Sequence, residues 1–417
     1  LKTKIIPLLL VLLFCLGCRA DEEAQPSFPE GTRQSENIWI KQQMERYYYW
    51  STQLPKNPDY SLAPQDFLKS LLSKEDRYTV MVNPQDASTY PRSVRGLYGF
   101  DYTLSKAGGG TLPLITLVMQ DSPASRTGLA RGMFITAING TPLSSANAAT
   151  AAADMKNSTM LSLSVAEWQD GTLSAPKDVT IYYGYTFSQP LRSQIFEQNG
   201  RKAAYLYIYD FREGMGSMLL QTVTQMKNQG VHDLILDLRD NPGGSVAMAA
   251  ALCAMIPEGI TASTPFIKYA GNKNGGTVTK TFSEQIAYHP AAPPFEACRS
   301  SSLGLSRLYV LATARTASAS EIVINNLRPY MQVVQVGDKT QGKDMAGFPV
   351  TDDRNPKQVP WELHPMIYKV YNAKGAGNYP NGLVPDISVA EDAELPMLPL
   401  GNPQETLLRA ALRHAGY

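Results

Sequence analysis

Apolar and polar positions follow two different rhythms along this chain. From residue 203 onward, short apolar runs alternate with longer segments at helical spacing. Residues 203–209, 234–238, 308–313 and 333–336 predict strands; 218–229, 246–256 and the stretch 321–327 predict helices. Strand–helix alternation of this kind predicts an α/β core with mostly parallel pairing. Between about Arg95 and Glu167 the pattern turns β-rich. Residues 114–119 form an apolar run, and Asn139-Gly140 between apolar residues predicts a tight hairpin turn. Residues 37–73 predict short helices, with Ile38, Met44 and Tyr47-Tyr48-Tyr49-Trp50 as bulky positions and Pro55, Pro58 and Pro64 as breaks. That stretch reads as a small helical cap that carries no chemistry.

The first eighteen residues fit neither rhythm. Lys2 and Lys4 precede an apolar run, 5–16, which ends in Leu16-Gly17-Cys18. A membrane-spanning helix needs roughly 20 apolar residues, so the run is too short to span. It reads as an export signal. Its end resembles a lipobox, which implies removal of residues 1–17 and lipidation of Cys18. The acidic Asp21-Glu22-Glu23 suits equally a surface-sorting signal or the start of a solvated tether across 18–36. The expectation is a cell-envelope protein held to the outer membrane by a lipid on Cys18, on its periplasmic or its surface face.

Composition narrows the classes. A chain of 417 residues implies two or three domains. With 43% hydrophobic and 18% charged residues it is neither a disordered nor a polytopic membrane protein. A net charge of +1 without basic blocks gives no support to nucleic-acid binding. Four cysteines are too few for a disulfide scaffold, and whether Cys253 and Cys298 pair is left open. Four scattered histidines suggest no metal site.

Three segments carry candidate chemistry. Asp237-Leu238-Arg239-Asp240-Asn241-Pro242-Gly243-Gly244-Ser245 lies between a predicted strand and helix, where paired glycines let the backbone approach a ligand. Alone it is equally a tight βα turn. Thr316-Ala317-Ser318-Ala319-Ser320-Glu321 opens a helix; its serine is exposed at a turn, although Ser318 and Glu321 also spell a capping box. Val336-Gly337-Asp338-Lys339-Thr340-Gln341-Gly342-Lys343-Asp344 nearly spells a phosphate loop, but Asp344 stands where a hydroxyl is required and would repel phosphate.

Upstream, Asp121-Ser122-Pro123-Ala124, Thr127-Gly128-Leu129 and the run 131–140 resemble a PDZ domain. Such a domain binds a peptide C-terminus as an added strand. The resemblance implies that Leu97, Tyr98, Gly99 and Phe100 form its carboxylate-binding loop. The three downstream segments, in their order, resemble the carboxy-terminal processing peptidases, or tail-specific proteases. Asn381-Gly382-Leu383-Val384-Pro385-Asp386 and Gly401-Asn402-Pro403-Gln404-Glu405 look like closing segments of that family. The implied fold is α+β and multidomain. It has a crotonase- or Clp-protease-like α/β peptidase core over 186–417, an inserted PDZ-like domain over 95–185 and an N-terminal helical domain over 37–94.

The same resemblance implies a serine–lysine dyad of Ser318 and Lys343, 25 residues apart. It implies an oxyanion hole from the N–H groups of Gly243 and Ala319, with Gly244 as alternative to Gly243, and no metal or organic cofactor. Lysine serves as a base only when neutral; at pH 7.4 about 0.1% of a free lysine is. Lys343 is therefore expected to be desolvated, without a carboxylate partner, and with Asp344 turned away. One departure stands out: Gly347 occupies the position where many members carry a dyad-orienting glutamine. The implied partners are protein or peptide tails. A catalytically silent peptide-binding homologue and a surface scaffold are the competing readings.

Overall fold

The computed structural model describes residues 27–184 and 189–417. The export signal, Cys18 and the expected domain boundary at 185–186 lie outside the described residues. Among the described residues no helix is long and apolar enough to cross a membrane.

The core is one sheet with the strand order Leu191–Gln198, Arg201–Ile208, Asp233–Asp237, Arg307–Ala312, Gln332–Gly337, Ile387–Ser388. The first pair is antiparallel and every later pair parallel. Period-two alternation explains its two faces. Ala204, Leu206, Leu234, Leu236, Leu308 and Val310 point to one side, where Gly216–Asn228, Val246–Ala254 and Ala319–Leu327 cover them. Ala203, Tyr205, Ile235, Tyr309 and Val334 point to the other, under the helix Thr406–Ala415. That closing helix turns Leu407, Leu408, Ala411 and Leu412 inward, and Glu405 caps it by accepting from the Leu408 N–H at 3.0 Å. A smaller four-stranded sheet, Thr277–Thr281, Pro265–Ala270, Tyr368–Tyr371 and Met345–Ala346, flanks the core.

The upstream module is an antiparallel sheet in the order Phe100–Ala107, Gly110–Val118, Phe134–Ile138, Met160–Ala166, Lys177–Tyr182. Its hairpin at Asn139-Gly140 has φ of 49° and 78°, the mirror-image turn that the dipeptide predicts. Ser122 caps the short helix Pro123–Arg126 with Pro123 at its first position.

The N-terminal helices Arg33–Tyr47 and Pro64–Leu71 bury Trp39, Ile40, Met44, Phe67 and Leu68 against Val350, Leu363 and Met366. The following strand, Val80–Val82, pairs with Glu362–His364. The cap is thus sewn into the core by a sheet as well as by apolar contact. Cys253 and Cys298 are both buried free thiols; the Cys298 thiol donates to the Pro293 carbonyl at 3.6 Å, and burial pushes its pKa up to about 12.

Candidate active site

Parallel strands deliver their C-terminal ends to one edge, where ligands of open α/β sheets bind. Asp233–Asp237 runs into the loop of Gly243 and Gly244, Arg307–Ala312 into Ser318, and Gln332–Gly337 into Gly342 and Lys343. The topology thus gathers the three candidate segments.

Ser318 is the residue before Ala319–Leu327, with φ 56° and ψ −116°. A non-glycine residue there is strained by about 1–3 kcal/mol, which no helix cap requires. Gly243 presses against it: a Cβ on Gly243 would lie 2.7 Å from Ser318 Cβ and 3.0 Å from the Ala319 nitrogen. With φ at +106°, only glycine suits that position.

Glu321 holds the two halves together. Its fully buried carboxylate accepts from the backbone N–H groups of Ser318 (2.8 Å), Gly342 (2.7 Å) and Lys343 (2.8 Å) and from the Thr340 hydroxyl (2.6 Å). Burial raises its pKa, and these four bonds oppose the rise. In the sequence Glu321 is legible only as the far end of a capping box; its larger role is to tether the lysine segment to the serine.

Lys343 is half-buried. Burial depresses its pKa, opposed by the charges of Glu321 and Asp76. Asp344 is turned away and paired with Lys369 at 3.1 Å. Among the described residues no carboxylate forms an ion pair with Lys343, and no hydrogen bond joins it to Ser318. Its ammonium lies 5.3 Å from the centre of the Tyr78 ring. The chain after Lys343 runs into Met345–Ala346, a strand, so the helix that a phosphate loop needs is missing.

The histidines are engaged elsewhere. His232 accepts from the Lys202 N–H, His289 faces Glu213, His364 faces Glu362, and His414 bonds Tyr309.

Two sequence expectations meet a different local geometry. The Gly243 N–H donates to Asn241 Oδ1 at 2.8 Å, so in this arrangement it is already engaged. Gly244 is exposed and has φ +132°, with Phe211 backbone where a Cβ would go. Among the described residues no hydrogen bond engages the N–H groups of Gly244 or Ala319. Leu97 and Tyr98 belong to a one-turn helix, Val94–Tyr98, rather than to an open loop. The N–H groups of Leu97 and Gly99 are bonded to Ser93 and Arg95 carbonyls, and Tyr98 and Phe100 are fully buried. Ser93 drives this by capping the turn through the Gly96 N–H. Capture of a carboxylate by this segment requires the turn to open.

A serine held in strain at a strand-to-helix junction, with a glycine loop packed on its Cβ, fits a nucleophile better than a cap. On a parallel α/β core this marks Ser318 as a candidate nucleophile. Comparison supplies a family for the core. A model of peptidase family S41 matches residues 202–389, the S41 N-terminal domain matches 35–80, and a PDZ domain matches 88–166. Residues 202–389, a little under half of the chain, thus match peptidase family S41, and a PDZ domain precedes them. It is 26% identical over 274 residues to a carboxyl-terminal-processing protease of a Picosynechococcus species, covering 65% of this chain and 60% of that one. It is also 26% identical to the chloroplastic carboxyl-terminal-processing peptidase 3 of Arabidopsis thaliana, covering 66% of this chain and 51% of that one. The chain therefore spans between half and two-thirds of the length of these relatives. A crystal structure of a putative S41 protease from Bacteroides fragilis superposes with a TM-score of 0.72 at 28% identity, covering 94% of this chain and 98% of that one. The photosystem II D1 C-terminal processing protease shares the fold, with a TM-score of 0.51 at 16% identity, over 86% and 93% of the two chains.

Proposed function

We propose that this protein is a serine endopeptidase in which Ser318 is the nucleophile and Lys343 the base. The observation that carries the reading is the Glu321 carboxylate, which binds the N–H groups of Ser318 and Lys343 at 2.8 Å each. One buried group thereby fixes both backbones of the dyad. Depression of the Lys343 pKa by burial raises its neutral fraction, as a lysine base needs.

In this mechanism the neutral Lys343 amine swings from the Tyr78 ring to Ser318 and takes the hydroxyl proton as Oγ attacks a peptide carbonyl. The N–H groups of Gly244 and Ala319 stabilise the oxyanion. Lys343 then protonates the leaving amine as the C–N bond breaks. Water gives a proton to Lys343 as it attacks the acyl-enzyme, and Lys343 returns that proton to Oγ as the acyl C–O bond breaks, which frees the serine. The PDZ module holds a substrate C-terminus, with the turn 94–99 opening to receive its carboxylate. A lipid on Cys18 holds the enzyme to the outer membrane of the cell envelope, which mass analysis of wild type against Cys18→Ser tests.

The test of activity is wild type against Ser318→Ala and Lys343→Ala, with an unfolded protein ending in apolar residues as substrate and products read by mass spectrometry. Fragments from wild type alone are expected; fragments from all three sink the dyad. A second reading, a silent peptide-binding homologue, is favoured by the engaged Gly243 N–H and the missing Ser318–Lys343 bond. Absence of acylation by a fluorophosphonate at any pH would select it.

A further inference from the structure

The turn after the N-terminal helices reaches the lysine. Asp76 Oδ1 accepts from the N–H groups of Tyr78 (2.9 Å) and Thr79 (3.0 Å), which fixes the turn. The Tyr78 hydroxyl donates to the Gly342 carbonyl at 3.2 Å, and Arg77 donates to the same carbonyl at 3.2 Å and to Pro380 at 2.8 Å. The backbone immediately before Lys343 is therefore clamped by two side chains of the cap. The Tyr78 ring covers the Lys343 ammonium. Asp76 Oδ2 is buried with no hydrogen-bond partner, and its charge acts on Lys343. Gly347, with no side chain, lies four residues beyond the lysine and offers it nothing.

We propose that residues 76–78 of the N-terminal cap are the positioning element for Lys343, with the Tyr78 ring as the surface on which its amine rests. The proposal rests on the dyad reading and supplies what that reading lacks, a group that orients the lysine side chain, since Glu321 binds only its backbone N–H. It gives the cap a part in the reaction. The charged and titratable groups facing Lys343 are Glu321 from the serine helix and Asp76, Arg77 and Tyr78 from the cap; Asp344 is held by Lys369.

The sign of each substitution follows. The ring acts on Lys343 in two ways. It excludes water, which disfavours the charged amine, and its face attracts the charge. Cation–π attraction favours the charged amine, whereas exclusion of water disfavours it and can move a lysine by several units. Net depression of Lys343 despite two carboxylates means that desolvation outweighs their attraction, and the ring beside the ammonium is part of what keeps water from it. Removing the ring therefore raises the pKa of Lys343, and removing the Asp76 charge lowers it.

The experiment measures fluorophosphonate acylation of the full chain from pH 6 to 10 for wild type, Tyr78→Phe, Tyr78→Ala and Asp76→Asn. Trace acetylation of Lys343, read by mass spectrometry, gives its protonation midpoint independently of activity. Tyr78→Ala is expected to slow acylation at neutral pH about tenfold and to move both midpoints up about one unit, with recovery near pH 10. Tyr78→Phe keeps the ring but loses the hydroxyl bond to Gly342, so both midpoints should stay near those of wild type while acylation slows. Asp76→Asn, which keeps the acceptor for Tyr78 and Thr79, should move both midpoints down. Unchanged midpoints in Tyr78→Ala overturn the proposal. Should that variant not fold, an unchanged midpoint in Asp76→Asn overturns it. If wild type is never acylated yet the acetylation midpoint moves as stated, the positioning stands and the peptidase reading falls.

Discussion

At the scale of single residues, Lys343 and Tyr379 show how the site departs from an optimally stable packing. The Lys343 pKa in the folded chain lies below its ordinary value of 10.5. Between those two values the unfolded chain binds more protons, so stability rises with pH across that window. Lys343→Met removes this term. We expect its stability advantage over wild type to be largest near pH 7 and to shrink as pH climbs toward 10.5, read as the gap between urea midpoints. Lys343→Arg cannot lose its proton, and acylation should be abolished at every pH. The Tyr379 hydroxyl is buried without a partner, and burial and the charges of Glu321 and Asp344 push its pKa well up. Leaving such a group unsatisfied costs about 1–3 kcal/mol, so Tyr379→Phe should hold or raise stability in the same titration.

At the scale of elements, the lysine segment depends on glycines packed backbone to backbone. Gly342 has φ +87°, and a Cβ there would lie 2.4 Å from the Pro380 oxygen and 2.6 Å from the Gly382 nitrogen. Neither backbone atom can move without opening the junction of residues 340–342 with 380–382. Gly342→Ala should therefore cost about 2 kcal/mol or more and suppress acylation as well. Gly214, open on all sides and with ordinary φ, should accept alanine with little change. The same contrast explains what the sequence made legible. The buried parallel strands announce themselves as apolar runs, and Asn139-Gly140 and Ser122-Pro123 announce their turns. The edge strand Leu191–Gln198 is mostly exposed and polar, so no pattern marks it. The flanking sheet is assembled from short strands far apart in sequence. The closing helix Thr406–Ala415 does carry helical spacing behind an N-cap glutamate, a signal the motif at 401–405 overshadows. Ser318 and Lys343 sit in local motifs, whereas Tyr78 meets Gly342 across 264 residues and leaves no local trace.

At the scale of the whole molecule, the PDZ module and the peptidase core share one buried charge cluster. Arg131, from the module, reaches Glu391 at 2.7 Å and Glu405 at 3.2 Å. Arg239, fully buried beside the glycine loop, holds Glu405 through two bonds at 2.6 and 2.9 Å and pairs with Asp237. Arg315 joins Asp240 to Glu391. Burial alone would raise the pKa of Glu391, and Arg315, Arg131 and Arg239 overcome it, holding the carboxyl well below its usual range. The cost of breaking the cluster depends on what is left behind. Glu405→Ala leaves the Arg239 guanidinium buried, with Asp237 and a weaker 3.5 Å contact to Glu391, and removes the cap of the closing helix. A loss of about 3–5 kcal/mol follows. Arg131→Met is a different cut: Glu391 keeps Arg315 and Glu405 keeps Arg239, so no buried charge is stranded. Its effect should fall on coupling. Wild type should melt in one calorimetric transition, barely altered by 1 M salt, because buried pairs are little screened. Arg131→Met should melt in two, the module first, with the core near its original temperature. A single unsplit transition in Arg131→Met would show that the remaining contacts, among them Leu117 and Met119 on the core sheet and Arg95 on the Asp240 carbonyl, join the two units without Arg131.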